Sequence, residues 1–325
     1  MKIKTIVTVI FLLACVSSCF HGKRLEPVHR FENYSFKNHN PVFSRISLPP
    51  DMVLRHLRQL DNRPDYTGYM PTRQELVGFE KAISMLPVLN RSMLEKRLLA
   101  VYFVPNFMGS GLTEWVLDRN GKVYGFMVIN PLVLRHNASE LLTLKERTCY
   151  IIDEPEYTVR FNTGTRCSGL LYILLHESTH LVDYVLHITP YVDDAINDYL
   201  DRHITRTPFT DRVWTAYSRP VKKLSFTGSV SFYGIRKPAL KLSESFNIYR
   251  ELSSSPFVSL YGSQTWAEDL AEMLSFYHIT ETLKQPYVIS VWKGQRLLLS
   301  VRPMDSPLVK LRLKAMDLFY RQEAP

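Results

Sequence analysis

Long apolar runs are nearly absent from this 325-residue chain. One lies at the extreme N-terminus, from about Ile6 to Val16, and no other approaches a membrane span. A protein with several membrane-crossing helices is thereby excluded. Like charges never run together in a block of five or more, and no basic stripe alternates with aromatics. Nucleic acid is therefore not an expected partner. There is no internal repeat, no low-complexity tract and no glycine-rich linker, which favours one domain with two lobes over a string of modules. Cysteine numbers only 4, and no pair has Cys-x-x-Cys spacing, which argues against a cysteine-built metal site. What remains is an ordinary globular profile: 46 % apolar, 22 % charged, formal net charge +9. That profile excludes a fully disordered chain, a collagen-like chain and a coiled-coil rod.

The N-terminus has an address. Lys2 and Lys4 precede about a dozen apolar residues, the pattern of a secretory signal and too short for a comfortable span. Val16-Ser17-Ser18-Cys19 then resembles the bacterial lipobox, in which the cysteine is lipid-modified and becomes the new N-terminus. Leu12-Leu13-Ala14-Cys15 is a poorer match, because bulky Leu13 stands where a small residue is preferred. The resemblance implies a signal peptide over residues 1–18, lipid on Cys19 and a membrane-anchored lipoprotein of the bacterial cell envelope. Cleavage there removes Lys2 and Lys4 and no acid, so the net charge falls from +9 to +7. A dispersed positive charge suits a position near an anionic bilayer. Residues 19–45 are expected to be a tether, and residues 46–325 the folded domain. Cys149 and Cys167 are left as a pair, either a disulfide or two buried thiols.

Along the chain, helices are expected at 51–60, 72–85, 90–97, 168–187, 195–204, 213–217, 266–283 and 309–321. Thr72 with Glu75 reads as a capping box. Strands are expected at 98–104, 113–117, 122–129 and 156–161, with a late hairpin at 287–301. Asn120-Gly121 between two apolar runs is a hairpin signal. The mixture predicts an α+β fold.

The long helix is apolar on most sides at Leu170-Leu171-Tyr172-Ile173-Leu174-Leu175, so it is expected to be buried. Immediately afterwards it carries His176-Glu177-Ser178-Thr179-His180. Two histidines four apart share one helix face and can converge on one zinc ion, while Glu177 can deprotonate a water. This is the H-E-x-x-H pattern of zinc metallopeptidases. Three buried polar groups would be costly without such a use. A catalytic zinc needs a third protein ligand. The extended pattern that takes it from a third histidine fails, because Asp183 stands at its glycine position and Leu186 at its histidine position. The third ligand is therefore expected from Trp266-Ala267-Glu268-Asp269-Leu270-Ala271-Glu272, where Glu268 and Glu272 share a face. We assign Glu268 to the metal and Glu272 to support, orienting a histidine. A solvated acidic stripe is the other reading of that helix.

These residues resemble the gluzincin metallopeptidases, and among them the catalytic domain of anthrax lethal factor and its relatives. The shared pattern is His176-Glu177-Ser178-Thr179-His180-Leu181-Val182-Asp183, then Tyr261-Gly262, then Glu268-Asp269-Leu270-Ala271-Glu272, about thirty residues in two segments. The resemblance implies a zincin-like fold, with a mixed sheet, a buried active-site helix and a mainly helical C-terminal lobe. It implies that Tyr261 hydrogen-bonds the developing oxyanion or protonates the leaving amine, and that Asp183 supports the ligands. The strand 122–129 is the expected edge for pairing with a peptide. The expected activity is zinc-dependent hydrolysis of a peptide or protein. The alternative is a non-enzymatic envelope lipoprotein whose structural or vestigial zinc site serves a binding module.

Overall fold

The computed structural model describes residues 25–321, apart from 38–39, 198, 201–203 and 236. The expected signal segment and Cys19 lie outside the described residues. The fold is mixed α+β. Its main sheet has strand order β1-β2-β4-β3, with β1 Ile46–Ser47, β2 Leu98–Phe103, β3 Gly111–Leu117 and β4 Val123–Ile129. β1, β2 and β4 are parallel neighbours, and β3 runs antiparallel to β4. Gly121 turns the β3–β4 hairpin at φ 73°, a backbone angle that glycine adopts without strain.

Both faces of this sheet are covered, which is why β2 and β4 are buried along their whole lengths. Alternation still sorts the side chains. Val101, Phe103, Trp115, Met127 and Ile129 join the larger core, with α2 Arg73–Met85, α3 Val88–Arg97 and α5 Gly169–Leu186. Tyr102, Val116, Phe126 and Val128 face the other way, onto Val53 and Leu57 of α1 Asp51–Asp61. The Thr72 hydroxyl accepts from Glu75 N–H and the Glu75 carboxylate accepts from Thr72 N–H, so the expected capping box starts α2.

α5 is the central helix. The Ser168 hydroxyl caps it by accepting from Leu171 N–H at 3.1 Å, and His187 ends it at φ 52°. Every residue from Gly169 to Tyr184 is buried. α8 Trp266–Tyr277 packs along it, capped by Thr265, and continues as a π-helical turn to Thr282. α4 Ala138–Arg147 flanks α5 from another side. A second, antiparallel sheet has the order β11-β10-β6, from Arg296–Val301, Val288–Lys293 and Tyr157–Asn162. Short pairs complete the fold: β5 Tyr150–Ile151 with β9 Leu240–Lys241, and β7 Trp214–Ala216 with β8 Arg219–Pro220. α6 Asp194–Asn197, α7 Ser245–Leu252 and α9 Pro307–Lys310 are minor helices. Among the described residues no helix is long and apolar enough to cross a membrane.

Several expectations are corrected. The described part of the expected tether, which starts at Leu25, belongs to the fold: Val28 and His29 are buried, and Arg30 bridges to Leu117. The helix expected at 213–217 is β7, because Trp214 is drawn onto Asp269 and Tyr217 O accepts from Trp266 N–H. The helix expected at 195–204 is the four-residue α6 within the described residues. The final helix breaks after α9, where Arg312 turns inward to Asp269, and resumes as a 3₁₀ turn at Leu313–Tyr320. Of the two alternatives left open for Cys149 and Cys167, the structure has two buried free thiols and not a disulfide. Burial pushes each thiol up to about 12, which leaves both inert. β4 lies between β2 and β3, so the sheet edge is β3 rather than 122–129.

Candidate metal centre

Helical spacing sets the first two donors. His176 and His180 stand one turn apart on α5, with their Nε2 atoms 3.2 Å from each other. The intervening hydroxyls are satisfied locally, since Thr179 Oγ1 donates to Leu175 O at 2.7 Å and Asn90 Nδ2 donates to Ser178 Oγ at 2.7 Å. The first turn of α8 brings Glu268 across the gap. Its Oε2 lies 3.0 Å from His176 Nε2 and 3.6 Å from His180 Nε2. That oxygen is buried and makes no hydrogen bond among the described residues.

These distances test whether zinc fits. Tetrahedral zinc with nitrogen and oxygen donors at about 2.0–2.1 Å holds its ligand atoms about 3.3 Å apart. The three separations here bracket that value, and an orphaned carboxylate oxygen facing two ring nitrogens calls for a cation at their centre. The three donors therefore fit a three-ligand site for zinc.

One turn further along α8, Glu272 is enclosed. Its Oε1 lies 3.1 Å from His176 Nδ1 and 3.3 Å from Lys145 Nζ, and it accepts from the Tyr172 hydroxyl. Its Oε2 accepts from Ser259 Oγ at 2.7 Å. Burial opposes its charge, but Lys145 and His176 prevail and hold the carboxyl down at about 2. Burial opposes the charge of Lys145 as well, yet Glu272 keeps the ammonium above its usual range. Glu268 is treated similarly: burial disfavours its charge, and the two histidines hold it far below the carboxylate range. With the protein's own charges alone, the carboxylates of Glu268 and Glu272 outweigh burial and push His176 up to about 10. The pocket thus demands positive charge, which a proton or a divalent ion can meet.

Glu177 points to the sheet side of α5. Thr113 Oγ1 on β3 lies 2.9 Å from both the Oε2 and the backbone oxygen of Glu177, and its single hydrogen is donated to one or shared between them. Burial raises the Glu177 carboxyl above its usual range, against the pull of the two histidines. Next to Thr113 is Gly111, where a Cβ would come within 2.7 Å of Glu177 Oε1 and 2.9 Å of Ile173 Cγ2. The edge strand can approach the acid this closely only without a side chain. Arg30 and His29 cover the Trp115–Leu117 end of β3, while Gly111–Thr113 has no strand partner on its outer side among the described residues.

Tyr261 precedes α8 and stands beside the histidines, its ring centroid 5.8 Å from that of His176. It packs edge-on against Phe232 at 5.1 Å, and Lys145 Nζ lies 3.5 Å from its ring centroid. Burial, then Glu268, keeps its hydroxyl protonated far above the usual range. Tyr233 stands 6.4 Å from Tyr261, holds a left-handed backbone at φ 58° and shares a hydrogen bond of 3.1 Å with Ser110 Oγ.

The structure thus brings His176, His180, Glu268, Glu177, Tyr261 and Glu272 together. Asp183 has another partner: its carboxylate accepts from Thr189 N–H at 2.7 Å and from the Thr189 hydroxyl, and so fixes the chain that leaves α5. Among the described residues it makes no hydrogen bond to His176 or His180, although the charge of His180 pulls its carboxyl down against burial. The sequence reading missed Lys145, Tyr172, Ser259, Thr113 and Gly111. Tyr172 had a signal, since it lies four residues before His176 on the same face of α5. Comparison of the chain with protein-family models, with curated proteins and with solved structures finds no match.

Proposed function

We propose that this protein is a zinc-dependent peptidase of gluzincin type on a zincin-like fold, carried on the bacterial cell envelope by lipid at Cys19. One observation carries the reading: three donor atoms from α5 and α8 lie 3.0–3.6 Å apart, with a buried acid beside them and a sheet edge running past that acid.

Zinc held by His176, His180 and Glu268 would supply a Lewis acid that polarises the scissile carbonyl and lowers the pKa of a water from about 15.7 to about 7. The remaining work belongs to the chain. Gly111–Thr113 offers backbone groups to an extended peptide, which adds to the sheet as a further strand. Glu177, oriented by Thr113 and made more basic by burial, takes the proton from the attacking water and passes it to the departing amine. The Tyr261 hydroxyl donates to the oxyanion as it develops. Glu272, fixed by Lys145, Tyr172 and Ser259, keeps the ring of His176 in place.

The test is Glu177→Gln. The variant is expected to keep one zinc equivalent at this centre and to lose hydrolysis of a peptide library by about 10²–10⁴-fold. Chelation of the wild type should abolish cleavage and added zinc should restore it. Full activity in Glu177→Gln would end the assignment. Zinc binding without cleavage of any peptide by the wild type would favour a binding module with a structural zinc.

A further inference from the structure

A second group of metal-ligating side chains meets at the outer edge of β3. Glu26 and His29 come from the N-terminal segment and His56 from α1. One donor atom from each lies within 4.8 Å of the others. His29 is the fixed member: it is buried, stacked on the Trp115 indole with centroids 3.8 Å apart, and its Nδ1 lies 2.9 Å from the Trp115 carbonyl oxygen. A carbonyl can only accept, so Nδ1 carries the proton and Nε2 keeps its lone pair. A histidine whose far N–H is pinned to a backbone carbonyl is in the state that metal-ligating histidines use. The His56 ring stands edge-on to His29, with centroids 5.3 Å apart. It sits between Glu26 Oε2 at 3.4 Å and Glu114 Oε2 at 3.3 Å.

We propose that Glu26, His29 and His56 form a second cation site, for a divalent transition metal, with Glu114 bracing the His56 ring. Two imidazoles and a carboxylate suit zinc, copper or nickel rather than calcium or magnesium. Glu26 Oε2 already stands 3.4 Å from His56 Nδ1, close to the separation that a bound ion imposes, and the exposed Glu26 side chain is free to adjust towards His29. Its exposure also leaves coordination positions to water, so the ion exchanges.

Position gives this site its consequence. Val28 belongs to the core on the outer sheet face, and Arg30 bridges to Leu117 at the end of β3. The other end of the same strand borders Glu177. A metal bound by Glu26, His29 and His56 staples the N-terminal segment to α1 across that edge. It fixes the first of the described residues against the sheet edge.

The experiment uses the full chain carrying His176→Ala and His180→Ala, which removes the interior centre and makes the outcome independent of any peptidase activity. Zn²⁺ alone is titrated calorimetrically, and melting is followed with and without it. One equivalent is expected, with a zinc-dependent rise in melting temperature. Adding His56→Gln should abolish both, and adding His29→Ala should do the same. His56→Gln lies on a helix surface and leaves the Trp115 stack intact, so it decides the matter if His29→Ala does not fold. The absence of any equivalent in the His176/His180 background, or an equivalent that survives His56→Gln, overturns the proposal and leaves a cluster of hydrogen-bonded ion pairs only.

Discussion

The interior centre and the rim cluster use the same donor types and differ in what stands behind them. In the centre, Glu272 is 1 % exposed and Lys145 is 5 % exposed, and each answers the other. At the rim, the Glu26 side chain is 62 % exposed and water does that work. The donor distances alone do not separate them: donors stand 3.0–3.6 Å apart inside, and at the rim Glu26 Oε2 stands 3.4 Å from His56 Nδ1. Burial makes convergent charge expensive, so an interior site survives only when every charge has a fixed partner, and those partners also fix its shape. A site with an exposed member such as Glu26 carries less of that demand, because water can answer its charge.

Lys145→Met is the strongest way to break this comparison. It leaves Glu272 charged, buried and without its cation, and is expected to destabilise the fold by about 3–5 kcal/mol in urea unfolding. A loss below about 1 kcal/mol would mean that the interior is no more demanding than the rim.

Glu146, the neighbour of Lys145 on α4, sharpens it. Its Oε1 accepts from the Tyr249 hydroxyl, and burial pushes its carboxyl up from 4.5 to about 7. The folded state therefore holds this proton more tightly than the unfolded chain. Its contribution to stability is fully present below about pH 4.5 and falls as pH rises towards 7. The loss is roughly 3 kcal/mol. Glu146→Gln removes that dependence, so the stability of the variant relative to the parent should increase between pH 5 and pH 8. Urea midpoints that change in parallel over this range would show that Glu146 does not titrate as a buried acid.

The smallest effect is expected at the rim. In a chelator, His56→Ala should change stability by about 1 kcal/mol, less than the interior change, because solvent screens one of its two partners, Glu26, and only Glu114 is part-buried. A loss on the interior scale would show that the rim cluster is preorganised after all.

The two clusters also differ in how far they could be read. His176, Glu177 and His180 were legible because their chemistry sits on one helix of strong periodicity. Glu268 and Glu272 were legible by the same rule. Lys145 was not. The Asn137 and Glu140 capping box that opens α4 is visible in the chain, yet no helix was expected there, and nothing local to Lys145-Glu146-Arg147 marks a residue for burial. Only packing against α5 turns its first two members inward. β7 was misread for a related reason: the preference of Trp214 is set by Asp269, 55 positions away. The tether was misread because its polar composition hides two buried anchors, Val28 and His29.

By itself, the sequence determined which side chains share a helix face. Residues four apart on a regular helix stand one turn above each other whatever surrounds them. It also determined the α2 cap and the Asn-Gly hairpin, which depend on a few neighbouring dihedrals. The tertiary structure decided the distance between α5 and α8, the edge position of β3, the burial of Lys145 and the separation of the two thiols. Each of these depends on how elements far apart in the chain pack and register, and no local preference encodes that.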